Sequence, residues 1–493
     1  MKNGLNYKRK LLFLIFWLFL LIGAKAQPNL AFYSLDHQFN SGDYNPAFLT
    51  SRHKFTFSMF PLAGTSVGYN NQEVIKNLTS RFLSGTITNE EFKKVFERMA
   101  TQSFFHQNLE SSLLSFTYHS NIGFFNFKVK DSEYFLAAVK GDITKFIFKS
   151  DQQTAIINQI QYLPAQSSHY REYSLGYSYK APSNRFSAGI RAKLYFGKYA
   201  FFSTLSGAIQ KDPNTPNDYI LKTSGMIHIS FPQQTILAPH DSVHIQFKNS
   251  TIFNYLFNSG NPGAGIDLGF NYRIMPELSF SMSVIDLGKI NWKTNRSSRN
   301  ADKAYPLAQN YVLGPPGDHQ TITKENNYNF SDLIDFSKLD RDSSAFSRPL
   351  PTTLYTGLKY QLNPSIALGI TDRFVIVKDL NYNSLTFTSN FTINKNLSIS
   401  TGYSILADSY FNIPLAFLFQ GDVCQFFLGT DNLTAILIPS AAEFAGLSFG
   451  ACFYLFGKRD QHRKPSDYTP FYKPRKILKN KKTGLLINPQ PEY

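Results

Sequence analysis

The stretch Leu278–Trp292 reads LSFSMSVIDLGKINW, and its first half alternates without a fault. Leu278, Phe280, Met282 and Val284 fall on one side, and Ser279, Ser281 and Ser283 on the other. A period of two is a β-strand, because successive side chains leave opposite faces. A soluble sheet usually turns Lys, Glu or Thr to water, yet this polar face is small and uncharged. The pattern recurs. KFTFSMF sets Phe55, Phe57 and Met59 against Thr56 and Ser58, and SLTFTSNFTI sets Leu385, Phe387, Phe391 and Ile393 against Thr386, Thr388, Asn390 and Thr392. About fourteen such segments can be counted (sixteen is the alternative), most of about nine to thirteen residues, the length a tilted strand needs to cross a bilayer.

Apolar-out, polar-in segments of this length are the signature of a transmembrane antiparallel β-barrel, an all-β fold. Lipid requires the apolar face, and closure leaves no backbone edge unpaired in hydrocarbon. A narrow or plugged lumen explains the small residues inside. A secreted sandwich or propeller also alternates, but with strands of about five or six residues. One stretch departs from the pattern: residues 71–100 have helical spacing, with Val74, Leu78, Phe92, Val95 and Phe96 apolar and TNEE as a capping start. Two short helices are expected there, inside the lumen or at a mouth.

Link lengths give a sidedness. Counting back from a last strand ending near Phe456, the links at 420–422, 393–396, 362–364 and 275–277 are short. Those at 432–443, 407–410, 377–383 and 291–351 alternate with them and are longer. Bacterial barrels have short periplasmic turns and longer outer loops, so 291–351 is expected outside the cell. The stretches 205–218 and 232–260 are both long, and their sides stay open.

The termini differ from the body. Lys2, Lys8, Arg9 and Lys10 precede LLFLIFWLFLLIG and then Ala24-x-Ala26, the three parts of a signal peptide cut before Gln27. An uncleaved anchor would need about 20 apolar residues. The barrel is expected over 27–456 and a disordered periplasmic tail over 457–493, where Pro465, Pro470, Pro474, Pro489 and Pro491 break any regular structure. Ten basic residues crowd this tail: Lys458, Arg459, Arg463, Lys464 and Lys473, then Arg475, Lys476, Lys479, Lys481 and Lys482. With Asp460 and Asp467 they supply +8 of the formal +16, and the leader supplies +5. The body is therefore nearly neutral and carries no nucleic-acid signature. The tail suits docking to an acidic periplasmic protein or to peptidoglycan, the alternative being a merely solvated tail. Outer-membrane lipid is the other expected partner.

No enzyme signal survives inspection. Gly446-Leu447-Ser448-Phe449-Gly450 matches a nucleophile elbow, but Ser448 sits in a continuous alternating strand where the elbow needs a strained strand-to-helix turn. No HExxH, paired metal spacing or phosphate loop occurs, GNPGAG at 260–265 breaks the dinucleotide pattern, and no cofactor is expected. Cys424 shares a face with Phe426 and Leu428, whereas Cys452 shares one with Ser448 and Gly450, so a disulfide is not expected. The sequons at Asn390 and Asn396 are expected on strands, as lumen chemistry. Asp267 and Asp286, each beside a Leu-Gly, are expected to close turns or strand ends. Trp292, the only Trp after the leader, is expected to anchor the interface at the start of an outer loop.

Several motifs resemble a known family. GAGIDLGFNYRIMPELSFSMSVIDLGKINW, with Asp267-Leu268-Gly269 and Asp286-Leu287-Gly288-x-Ile290-x-Trp292, resembles the domain of unknown function 5723, a Bacteroidota family. Asn45-Pro46-Ala47 resembles the early Asn-Pro-Ala of related gliding and type IX secretion barrels. AGIRAKLYFGKYAFFST resembles the family's Gly-x-Arg-x-Lys strand, and Asp431-Asn432 its late turn. The family is similar to fatty-acid-transporter-like barrels and to accessory barrels of secretion and gliding, so the resemblance implies location and fold far better than activity. The leading expectation is a non-enzymatic outer-membrane accessory or scaffold for envelope assembly, secretion or gliding. Passive transport of hydrophobic molecules is the first alternative, and a soluble exported adhesin or hydrolase the second.

Overall fold

The computed structural model describes residues 30–51, 53–70, 102–140, 161–214, 219–230, 257–300, 302–307, 344–378, 381–406, 409–438 and 444–455, and the short segments 312–314, 327–329, 340–342, 478–479 and 486–487. The leader, the expected helices at 71–100 and nearly all of the basic tail lie outside them. In the tail, Leu478–Lys479 pairs with Leu486–Ile487.

The alternating segments form one closed antiparallel barrel of fourteen strands. β1 is Phe55–Met59 and Thr65–Asn70, β2 Gln102–Ser120, β3 Gly123–Lys140, β4 Gln161–Lys180 and β5 Phe186–Lys211. β6 runs in three segments, Tyr219–Ser224, Met226–Ser230 and Pro262–Arg273. β7 runs through Leu278–Trp292, Arg296–Asn300 and Lys303–Leu307, and β8 returns through Asp340–Asp342, Phe346–Pro349 and Thr352–Asn363. Shorter strands follow: β9 Ile366–Ile376, β10 Tyr382–Thr392, β11 Leu397–Leu406, β12 Ser409–Asn412 with Leu415–Gln420, β13 Cys424–Thr430 and β14 Phe444–Leu455. β14 closes the ring on β1, with Phe55 opposite Leu455 and Thr65 opposite Phe449.

The wall is uneven in height. β5 is 26 residues long and β13 only 7, while crossing a bilayer takes about ten. The upper part of the tall side, β4–β8, therefore stands clear of the membrane on the long-loop side. The stretch 291–351 is for this reason not one loop: β7 continues to Leu307 and β8 begins at Asp340. The two unassigned stretches also resolve. Residues 205–211 finish β5 and the link to β6 lies at the long-loop end. Residues 232–260 interrupt β6 between Ser230 and Pro262, both opposite β5, so they join no two neighbouring strands.

Outside, large apolar side chains such as Leu175, Leu194, Leu268, Ile370 and Phe387 stand exposed. On a closed barrel this is the lipid face, and among the described residues no helix is long and apolar enough to span a membrane. Cys452 points inward and is buried, Cys424 does not share its side, and both are free. Asn390 faces the lumen as expected, but Asn396 sits in the short turn before β11.

A single bulge in β7 overturns the expectation for Trp292. The pairing with β6 shifts between Val284 and Leu287, and Asp286 adopts φ 60°. The extra residue reverses the parity, so odd positions face inward up to Ile285 and even positions from Ile290 onward. Trp292 is turned inside, 1% exposed, stacked on Phe346 and seated over Gly197, where a Cβ would lie 2.5 Å from the ring. It is a core residue, not an interface anchor.

Candidate functional site

Residues 30–51 carry no period-two pattern, and they do not join the wall. They fold through three short turns, Leu30–Phe32, Ser41–Asp43 and Pro46–Phe48, inside the barrel. The lumen is thus filled by the segment just before β1.

One flank of this plug is apolar. Phe32 and Phe39 meet Phe427 edge-on and tilted, at 5.1 and 5.6 Å between ring centres, and Tyr33 stacks on Tyr355 at 5.5 Å. Leu406, Ala416 and Leu418 of the short wall complete this core. The other contacts are polar and explain the small residues of the sequence pattern. Tyr33 OH bonds Ser281 Oγ at 3.1 Å, Ser283 Oγ donates to the Tyr44 carbonyl at 2.6 Å, and Ser34 Oγ bonds Thr388 Oγ1 at 2.8 Å. Gln425 Nε2 donates to the His37 carbonyl at 2.7 Å and Asn390 Nδ2 to Ser34 Oγ at 2.9 Å. Serines and threonines line the wall because a second layer of backbone lies against it, and long side chains would have no room.

Asn45-Pro46-Ala47 is the key of this docking. Asn45 Oδ1 accepts from the Ala47 N–H at 2.9 Å, while its Nδ2 donates to the carbonyls of Phe270 in β6 and Met282 in β7. Gly269 and Gly189 make the approach possible: a Cβ on them would lie 2.1 Å from Asn45 Oδ1 and 2.3 Å from the Pro46 carbonyl carbon. The Gly of Asp-Leu-Gly is therefore a docking surface. Asp431 and Asn432 lie just past β13. Asn432 caps α1 (Leu433–Leu437) by accepting from the Thr434 N–H, and its Nδ2 donates to the Phe444 carbonyl.

Asp267 and Asp286 do not close a turn or a strand end. Asp267 lies inside β6, wholly buried, and its Oδ1 accepts the Asp286 N–H at 2.7 Å across the bulge. Lys193 of β5 bridges the two carboxylates, 2.9 Å from Asp267 and 2.6 Å from Asp286, with Glu172 at 3.3 Å. The network reaches the plug. Arg191 meets Asp43 at 3.0 Å and Lys128 also pairs with Asp43, while Lys359 holds Asp36 at 2.7 Å. Burial would raise the Asp43 carboxyl, but Lys128 and Arg191 hold it well below the usual carboxylate range. A signal for this layer was present in the sequence: Lys128 with Lys130, and Arg191 with Lys193, are spaced two apart and so share one inward face.

Towards the long-loop end lies a second apolar core, with Tyr134, Leu136, Tyr195, Phe202, Trp292 and Tyr382. Cavities remain on either side of the plug, each of about 80 Å³. One, near the short turns, is lined by Tyr33, Leu35, Leu49, Asn271 and Lys359. The other lies beside Asp43, Glu110, Lys130 and Arg373. Ser448 lies in a continuous β14 and bonds Ser66 across to β1, so no nucleophile elbow exists there.

Closed wall, lipid-facing exterior and filled interior define a plugged membrane-spanning β-barrel of the outer-membrane type. The chain belongs to the family of unknown function DUF5723, which matches residues 46–431, from Pro46 in the plug to Asp431 just past β13. No curated protein matches it. It is similar to a deltaS2S3 mutant of the monoaromatic hydrocarbon channel TodX, with 11% identity, a TM-score of 0.38, and coverage of 88% of this chain and 97% of that one. It is similar also to the toluene transporter TbuX of Ralstonia pickettii (9% identity, TM-score 0.35, 84% and 92%) and to the porin KdgM (9%, 0.18, 60% and 99%).

Proposed function

We propose that this chain is a non-enzymatic, gated outer-membrane barrel that passes small, largely apolar molecules passively, with residues 30–51 as the gate. The observation that carries this reading is the plug itself: it is seated by hydrogen bonds, ion pairs and ring contacts, all reversible, and beyond it an internally paired belt of charges leads to a cap of aromatic and aliphatic side chains. A hydrophilic porin would instead keep a polar, water-filled bore. Export through a leader cut before Gln27 belongs to the same proposal.

The test locks the gate. Ser34 Oγ and Thr388 Oγ1 are 2.8 Å apart, so the pair S34C/T388C is placed to form a disulfide. Uptake of an apolar fluorescent dye across the outer membrane should rise on expression, stop in the oxidised variant and return with reductant. Equal uptake by locked and reduced protein would refute gating.

The scaffold reading keeps one observation in its favour, the tall side β4–β8 standing clear of the bilayer. It is joined by the basic tail from Lys458 to Lys482, for which docking to an acidic periplasmic protein or to peptidoglycan is proposed. Mild-detergent purification separates the two readings: a stoichiometric partner lost on removal of 458–493 favours the scaffold.

A further inference from the structure

The lipid face of the barrel is not a smooth belt. Across β1–β5, close to the short turns, it carries an open groove of about 630 Å³. The register lays it out: Phe55 faces Tyr118, Phe116 faces Phe127, Phe127 faces Leu175, and Leu175 faces Ala192. Large side chains form the sides, and the methyl of Ala192 leaves the floor low between Ile190 and Leu194, both prominently exposed. Among the described residues no charged side chain lines the groove. At its end, however, the Lys54 ammonium lies 5.9 Å from the centre of the Phe55 ring. Tyr118, Phe125 and Tyr177 form an aromatic band at the same level, their successive ring centres 6.5 and 5.0 Å apart. Barrels place such aromatic bands at headgroup depth.

We propose that this groove seats one glycerophospholipid of the inner leaflet, with an acyl chain against Ala192 and the phosphate at Lys54. The surroundings select this occupant. Hydrocarbon bathes the face, and an inserted loop or strand would bring backbone polar groups that nothing there can satisfy. The cation at headgroup depth adds a preference for an anionic head, about fivefold for one lysine at a membrane surface. The seat is independent of what passes through the lumen.

Native mass spectrometry of the full chain, purified in mild detergent and titrated with phosphatidylglycerol or phosphatidylcholine, tests it. The wild type should retain one phospholipid and prefer phosphatidylglycerol. A192F, which fills the floor, should lose retention of both lipids. K54E should lose only the preference, and K54R should keep it. Heat-modifiable gel migration checks that each variant is still a folded barrel. Equal retention by wild type and A192F overturns the proposal, as does a second copy of this chain bound where the lipid should be.

Discussion

Asp43 is the residue on which the plug depends most. It faces Lys128 and Arg191, which are 2% and 4% exposed, and Lys128 has no nearer carboxylate than this one among the ion pairs described. Removing one member of a buried pair strands the others, at a cost of about 3 kcal/mol. D43A should therefore loosen the plug by about that amount, measured as faster protease cleavage within 30–51 while the barrel stays resistant. The same carboxylate sets an acid limit. A depressed carboxyl contributes stability that is complete above the ordinary value of about 3.9 and is lost as pH falls below it. Asp431, just past β13, behaves in the opposite sense. Burial lifts it to about 8, against the lowering effects of Arg373 and the Leu30 backbone. Its neutral form suits the fold, so stability declines as pH rises through about 8. Plug protection measured from pH 3 to 9 should fall at both ends, and D431N should remove only the alkaline fall.

At the scale of elements, the β7 bulge decides most. Strand existence and the alternation of short and long links in the C-terminal half were legible, because period two and turn composition are local signals. The count stayed open between about fourteen and sixteen. The bulge was not. One residue at positive φ reverses the parity of all that follows, and nothing around Ile285–Leu287 marks it beyond the Asp-Leu-Gly itself. That is why Trp292 reads as a lipid-side anchor and lies inside. Its emission should be that of a buried indole, and brominated lipid should quench it little, since Phe346 and Phe202 surround it. Strong quenching by brominated lipid would place it outside and contradict the bulge. The plug was hidden for a different reason. Its three turns have no periodicity to read, and its partners, from Gly189 to Gln425, are supplied by strands far away in sequence. The lumen-facing serines and threonines were visible from the start; that their neighbour is the chain's own N-terminal segment was not.

Across the whole molecule, the interior is layered: plug, charge network, aromatic cap. The network is nearly self-neutral, since Lys128, Lys130, Arg191 and Lys193 are matched by Asp43, Glu110, Glu172, Asp267 and Asp286. Such a layer fixes a position without attracting ions of either sign. The closed state is then a consequence of two apolar cores and one ionic belt, of which only the plug's share can leave without breaking strands. Ion conductance in a planar bilayer tests this most directly, comparing the full chain with one lacking residues 30–50. The full barrel should be silent and the shortened one should open steady channels. Equal conductance by the two, or a silent shortened barrel that is still folded, would contradict the account.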